Sequence, residues 1–294
     1  MKHQDYDWLS KDDMYIYAQS WAPDHDPSAV INIIHAFGEH SGRYQKWAEL
    51  FVDKGMAVLA SDLIGHGRSN GKRGHIKNYQ VFLDQIELQL LKSSELFPGI
   101  PQVLYGHSMG GNLVINYAMS KDAPVSAIIA SAPWLKLVND PPAHMLLFST
   151  ILRPFFPSLT VKAGIDNAYR THDLTVNEKL KEDPLLHRKM SLQLFHEVTR
   201  QGLYAMRNIF KINRPLLLMH GSSDRWTSHE ATMELATNTS KLTRLKIWDG
   251  LYHELHNEIG YMDVFNYVID WLAEMKITDH GKIQDRSKNR TRRS

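Results

Sequence analysis

The sequence predicts an α/β protein: a mostly parallel central sheet flanked by helices, with a helical insertion laid over it. Three observations lead there. Short β-rich runs alternate with longer stretches of helical apolar spacing. Several of the β-rich runs are apolar throughout, as strands covered on both faces should be. The alternation then breaks between about Pro133 and Ile212, where the pattern is helical, prolines punctuate it and no strand is expected.

In chain order, the expected strands are Met14–Trp21, Ala29–His35, Met56–Asp62, Gln102–Gly106, Val125–Ser131, Arg214–Gly221 and Thr243–Asp249. The expected helices are Gln45–Lys54, Asn78–Leu96, Gly110–Ser120 and Tyr261–Met275. This divides the chain into a first core part (1–133), a helical cap (134–212), a second core part (213–277) and a polar, basic tail (278–294) expected to be disordered. The cap should lie over the carboxyl ends of the strands, where open α/β sheets place ligands.

Composition bounds the function. The chain has 294 residues, 43% of them hydrophobic, enough for a sizeable core. A formal net charge of +2 gives the bulk of the protein no reason to seek nucleic acid. There is no cysteine, which excludes disulfides, thiolate nucleophiles and Cys-based zinc sites. The N-terminal stretch MKHQDYDWLSKDD has no apolar signal-peptide core, and no run of about 18 apolar residues suggests a spanning helix. A cytoplasmic location is therefore expected, with surface association at a membrane open.

The chemistry centres on VLYGHSMGGNLVINYA (Val103 to Ala118). Gly106-His107-Ser108-Met109-Gly110 between a strand and a helix has the pattern of a nucleophile elbow. Ser108 would sit in a tight, strained turn, where Gly106 and Gly110 let strand and helix approach and Gly111 allows close helix packing. A serine hydroxyl is a weak nucleophile and needs a base oriented by a carboxylate. On this architecture the order is Ser, then Asp or Glu, then His. Asp224, in GSSDRW, and His253, in LYHELHNE, each follow a strand and fit that order. Asp249 is a rival acid and His256 a rival base, while His220 is expected to pack near the site. A His253–His256 metal pair lacks a third ligand. Two backbone N–H groups should stabilise the oxyanion: that of Met109, after the nucleophile, and that of Phe37, in the loop after an early strand.

HAFGEHSGRY, SDLIGHGRSNG, GHSMGGNL, GSSDRWTS and YHELHNE together resemble the monoacylglycerol lipases and related lysophospholipases of the α/β-hydrolase superfamily, in matching order from about Ile31 to Trp271. The resemblance implies an α/β-hydrolase fold and a serine esterase with Ser108 as nucleophile, Asp224 as orienting acid, His253 as base, and Phe37 and Met109 as oxyanion donors. It also implies that Glu39, Arg43 and His256 hold glycerol hydroxyls, although Glu39 and Arg43 could instead form an ion pair bracing their loop. No cofactor or metal is implied, and the substrate is a small lipid ester. Two departures stand out. His35-Ala36-Phe37-Gly38 replaces the usual His-Gly-x-Gly, and the cap matches weakly.

Within the cap, Met145, Leu146, Leu147, Phe148, Ile151, Leu152, Phe155, Phe156 and Leu159 are expected to pack on the core, line an acyl tunnel or touch a bilayer. The competing classes are a related peptidase and a ligand-binding relative without catalysis. The peptidase would need an acidic pocket for a substrate amine, and the binding protein would normally lack a triad member. Haloalkane dehalogenation would want an aspartate at the elbow.

Overall fold

The computed structural model describes residues 1–120, 123–139, 141–164 and 166–278. Except for Thr278, the basic tail expected at 278–294 lies outside the described residues, as do the side chains at 145, 146 and 148.

An eight-stranded sheet organises the chain. Its strands are β1 (Lys2–Leu9), β2 (Tyr15–Ala22), β3 (Val30–Ile34), β4 (Ala57–Ser61), β5 (Gln102–His107), β6 (Ala127–Ser131), β9 (Leu216–Gly221) and β10 (Thr243–Trp248), in the spatial order β1-β2-β4-β3-β5-β6-β9-β10. The β1–β2 and β2–β4 pairings are antiparallel, and every pairing from β4 to β10 is parallel. Strands β3, β4, β5, β6 and β9 are buried at every position, which explains their unbroken apolar runs. The strand β1 was not expected. Only Trp8 of its eight residues is buried, so it carries no core-facing alternation to read. Its Lys2, Asp5 and Asp7 suit an edge that must not pair with another chain.

Period-two alternation along the buried strands divides the core into two layers. On one face α1 (Gln45–Asp53) and α8 (Tyr261–Glu274) bring Trp47, Phe51, Phe265 and Trp271 against Val103, Tyr105, Ile129 and Leu217. On the other, α2 (Gln80–Leu96) and α3 (Met109–Ser120) bring Phe82, Ile86 and Leu113 against Leu104, Ile128 and Leu216. The helix α7 (His229–Thr237), also not anticipated, is capped by the Ser228 side chain and joins this second layer through Ala231 and Leu235.

Chain order reverses at β3. From β3 the chain moves to β4 on one side, then crosses to β5 on the other, leaving a crevice between β3 and β5 beyond their carboxyl ends. The loop holding Phe37 leaves β3 and the Ser108 turn leaves β5, so both flank that crevice.

The segment between β6 and β9 holds α4 (Ala143–Leu152), α5 (Leu174–Lys181) and α6 (Leu192–Asn208). It also contains β7 (Thr160–Lys162) and β8 (Lys189–Ser191), an antiparallel pair with Thr160 opposite Ser191. The expectation that this segment has no strand is therefore corrected: three residues per strand are too few to show an alternation. Helix α6 buries Leu194, Val198, Gly202, Ala205 and Met206 and packs on α3. The β8 end is pinned to the core. His187 N donates to Gly38 O at 3.1 Å, and Ser191 N donates to Gly74 O at 2.9 Å. A Cβ at Gly38 or Gly74 would collide with the carbonyl oxygens of His187 or Lys189. Among the described residues no helix is long and apolar enough to cross a membrane.

Candidate active site

The turn after β5 explains the glycines around Ser108. Ser108 has φ 55°, a left-handed conformation that costs a non-glycine residue about 1–3 kcal/mol. Hydrogen bonds hold it there. Its N–H donates to Ser131 O at 2.9 Å, and its carbonyl accepts from Asn112 N and Trp134 N, both at 3.0 Å. A Cβ at Gly106 would strike the Gly110 carbonyl, and one at Gly110 would strike the Ile34 carbonyl. Glycine is thus required by the closeness of β3, β5 and α3. The result is a serine that lines a cavity of about 500 Å³.

His253 lines the same cavity as Ser108. Its Nδ1 lies 2.6 Å from Asp224 Oδ2, which leaves Nε2 as the ring nitrogen not committed to the carboxylate. Asp224 Oδ1 accepts from Trp226 N at 2.7 Å and Thr227 N at 3.2 Å, and Oδ2 accepts from Thr227 Oγ1 at 2.9 Å. Burial pushes the Asp224 carboxyl upward, but His253, His220 and their hydrogen bonds outweigh it and hold the group well below the usual carboxylate range. The rival acid Asp249 is exposed and accepts from Ser222 Oγ at 3.2 Å in the surface turn after β10.

The two oxyanion candidates flank the serine. Met109 is the first residue of α3, fully buried, and Phe37 lines the cavity from the β3 loop. The Phe37 ring stands edge-on to His66 and His187, with centroids 5.9 and 5.6 Å away. Among the described residues neither backbone N–H has a hydrogen-bond partner.

Glu39, Arg43 and His256 are placed differently from one another. Glu39 lines the cavity, whereas Arg43 and His256 lie behind its wall. Arg43 grips Glu254 with Nη1 on Oε1 at 2.9 Å and Nη2 on Oε2 at 2.7 Å, and it also contacts Glu39. Arg170, from the segment between β7 and α5, bonds Glu39 Oε1 at 2.9 Å and also reaches Glu254. Two guanidiniums and two carboxylates therefore form one buried, charge-balanced group. Burial raises the Glu39 carboxyl, while for Glu254 the two arginines overcome burial and hold it well below its ordinary value. His256 stacks on Tyr44, ring centroids 4.9 Å apart, and burial pushes it down to about 3. It is thus held as a neutral ring inside the core.

Several site residues escaped the sequence reading. Arg170 and Trp226 line the cavity, and the Arg170 guanidinium sits 5.0 Å over the Trp226 ring. Glu254, fully buried beside His253, donates its N–H to Arg170 O at 2.8 Å. A glutamate flanked by apolar and histidine residues in YHELHNE was the one available signal. Most of the remaining lining is apolar and includes Trp134, Leu137, Leu152, Met190, Leu192 and Phe195.

The eight-stranded, mostly parallel sheet, its reversal at β3 and the serine turn after β5 define an α/β-hydrolase fold. The chain belongs to the family described as serine aminopeptidase, S33, which it matches over residues 25–260. Human monoglyceride lipase is 31% identical over 282 residues, covering 92% of this chain and 90% of that protein. An uncharacterised abhydrolase domain-containing protein of Dictyostelium discoideum is 30% identical over 269 residues, which is 90% of this chain but only 28% of that longer protein. Among solved structures, the monoacylglycerol lipase of Paleococcus ferrophilus superposes with a TM-score of 0.81 at 28% identity, covering 88% of this chain and 99% of its own. The protein is thus a hydrolase of this family with lipase relatives.

Proposed function

We propose that the protein is a serine ester hydrolase acting on lipid monoesters, monoacylglycerols foremost, with Ser108 as nucleophile, His253 as general base and Asp224 as its orienting acid. One observation carries the reading. A serine held in a strained turn opens into a mostly apolar cavity, and that cavity is shared with a histidine whose other nitrogen is bound to a buried carboxylate.

In this mechanism His253 Nε2 takes the Ser108 proton as the alkoxide attacks the ester carbonyl. The Met109 and Phe37 N–H groups receive the developing oxyanion. Asp224 fixes the His253 tautomer and steadies the imidazolium. His253 then protonates the leaving alcohol and next activates the water that releases the fatty acid. No step draws on a metal or organic cofactor.

The lining supports the substrate class. Its apolar residues suit an acyl chain. Glu39 and Arg170 offer an acceptor and a donor from a neutral ion group, which suits an uncharged glycerol. Arg43 and His256 act on the head group only through the wall they support. A second reading, lysophospholipid hydrolysis, is favoured by Lys162 and Arg225, exposed cations on the same lining. A panel of monoacylglycerols, lysophospholipids, short p-nitrophenyl esters and aminoacyl arylamides separates these readings. The expected result is fastest turnover of monoacylglycerols. Preference for lysophospholipids would install the second reading, and cleavage of aminoacyl substrates alone would replace both with a peptidase.

The same proposal extends to the membrane. Leu147, Ile151, Phe155 and Phe156 are exposed on and just after α4, with Phe155 at 76% of its free surface. An apolar ridge beside a lipid-ester cavity suits contact with a bilayer surface. Replacing Phe155 and Phe156 together with serine is expected to lower co-sedimentation with phosphatidylcholine vesicles at least about tenfold, since each buried ring contributes about 1.5–3 kcal/mol. Hydrolysis of a water-soluble ester should be unchanged. Equal vesicle binding by variant and wild type would end the membrane assignment.

A further inference from the structure

Asp224 Oδ2 is shared by two imidazoles. His253 Nδ1 lies 2.6 Å from it and His220 Nε2 lies 3.0 Å from it. His220 is fully buried on β9 and takes no part in lining the cavity. Its protonation at Nε2 follows from what that nitrogen faces: Asp224 Oδ2, the Thr227 carbonyl oxygen at 3.1 Å, and the Thr227 hydroxyl, whose own hydrogen is given to Asp224 Oδ2. A lone pair there would point only at acceptors, so Nε2 must carry the hydrogen. Nδ1 faces Thr232 Oγ1 on α7 at 2.8 Å, a hydroxyl that can donate or accept.

The surroundings add few other charges. From α7 come His229, its ring 6.4 Å from that of His220, and the neighbouring Glu230. The loop after β9 supplies Asp224 and Thr227, whose Oγ1 lies 3.2 Å from His220 Nε2. The loop after β10 supplies His253, which touches His107 of β5 and is followed by Glu254.

We infer that His220 is a positioning residue that divides the Asp224 carboxylate with His253 and so sets how firmly the base keeps its proton. This rests on the triad reading above. Each N–H that a carboxylate oxygen accepts draws on its negative charge and lowers its basicity, so a second donor is held less strongly. His253 must gain a proton from Ser108 and then release it to the leaving alcohol. Without His220, Asp224 would hold that proton more firmly on His253 and slow its release.

The test compares His220→Leu, which removes the donor, with His220→Gln, which restores an N–H. Both are measured in the full chain on a soluble p-nitrophenyl ester across pH, with active sites counted by fluorophosphonate labelling. The acidic limb of kcat/KM is expected to move to higher pH in His220→Leu by about half to one pH unit, the scale of one typical net hydrogen bond. His220→Gln should return most of the way to wild type. Thr232→Ala, which loosens His220 without emptying its place, should move the limb the same way by less. It carries the test alone if His220→Leu does not label. A uniform loss at every pH with the limb unmoved, or glutamine behaving as leucine, would overturn the inference and leave His220 a packing residue. Turnover by Ser108→Ala equal to wild type would instead bring down the triad reading, and this inference with it.

Discussion

Ser108→Ala is expected to abolish ester hydrolysis, lowering kcat by about 10⁶-fold, with the thermal transition unchanged or raised. The size follows from the chemistry: without the hydroxyl no acyl-enzyme forms, and His253 has only water to activate. The preserved or higher stability follows from the geometry. Alanine fits the space, and the backbone bonds from Ser108 N to Ser131 and from Asn112 and Trp134 to the Ser108 carbonyl need no side chain. The left-handed φ remains, so the turn keeps its strain. Burst titration with a p-nitrophenyl ester and circular dichroism together check this. A variant that is folded and still gives a burst would remove Ser108 from the mechanism.

Arg43→Met is expected to destabilise the protein by about 3–5 kcal/mol, although Arg43 does not reach the cavity. Methionine replaces the volume but leaves Glu39 and Glu254, both fully buried, to share Arg170 alone. One of the two carboxylates must then be protonated or drawn toward water. Because Glu254 adjoins His253, the disturbance should also reach the base and lower kcat as well as stability. The double variant Arg43→Met with Glu254→Leu leaves Arg170 facing Glu39, one charge against one, and should recover much of the stability. Urea denaturation with an unchanged m-value is the appropriate measure. A single variant as stable as wild type would show that water already reaches this group.

The sheet could be read from the sequence because burial on both faces leaves strands little room for polar residues. For β3, β4, β5, β6 and β9 the apolar run and the strand nearly coincide. The serine turn could be read because three backbones converge there and only glycine fits at 106 and 110, two residues to either side of Ser108. Where local chemistry places no such demand, the sequence is mute. The edge strand β1 is polar because it faces solvent, and β7 and β8 are held by their neighbours rather than by any pattern of their own. Arg170 shows the same limit at the site. It meets Glu39 across 131 positions and Glu254 across 84, so no local motif could announce it. Glu39, Arg43 and His256 were grouped by resemblance, whereas their distances from the cavity depend on how the loop after β3 packs against the loop after β10.

The inserted segment is fastened unevenly. Its β8 end rests on Gly38 and Gly74, and its Arg170 is locked into the ion group, while α4 and the residues just after it present bare apolar side chains. The fastened portion also touches Phe37 through His187 and meets Glu254, the neighbour of His253, through Arg170, so on the proposed reading change there disturbs the chemistry at once. The outer portion is tied at fewer points, through Arg153 to Gln193 and Lys72 to the Ser158 carbonyl, and Leu147, Ile151, Phe155 and Phe156 stay exposed. On the proposed reading, substitutions at Leu147, Ile151, Phe155 and Phe156 can therefore change which lipid surface the protein meets while leaving turnover under separate selection.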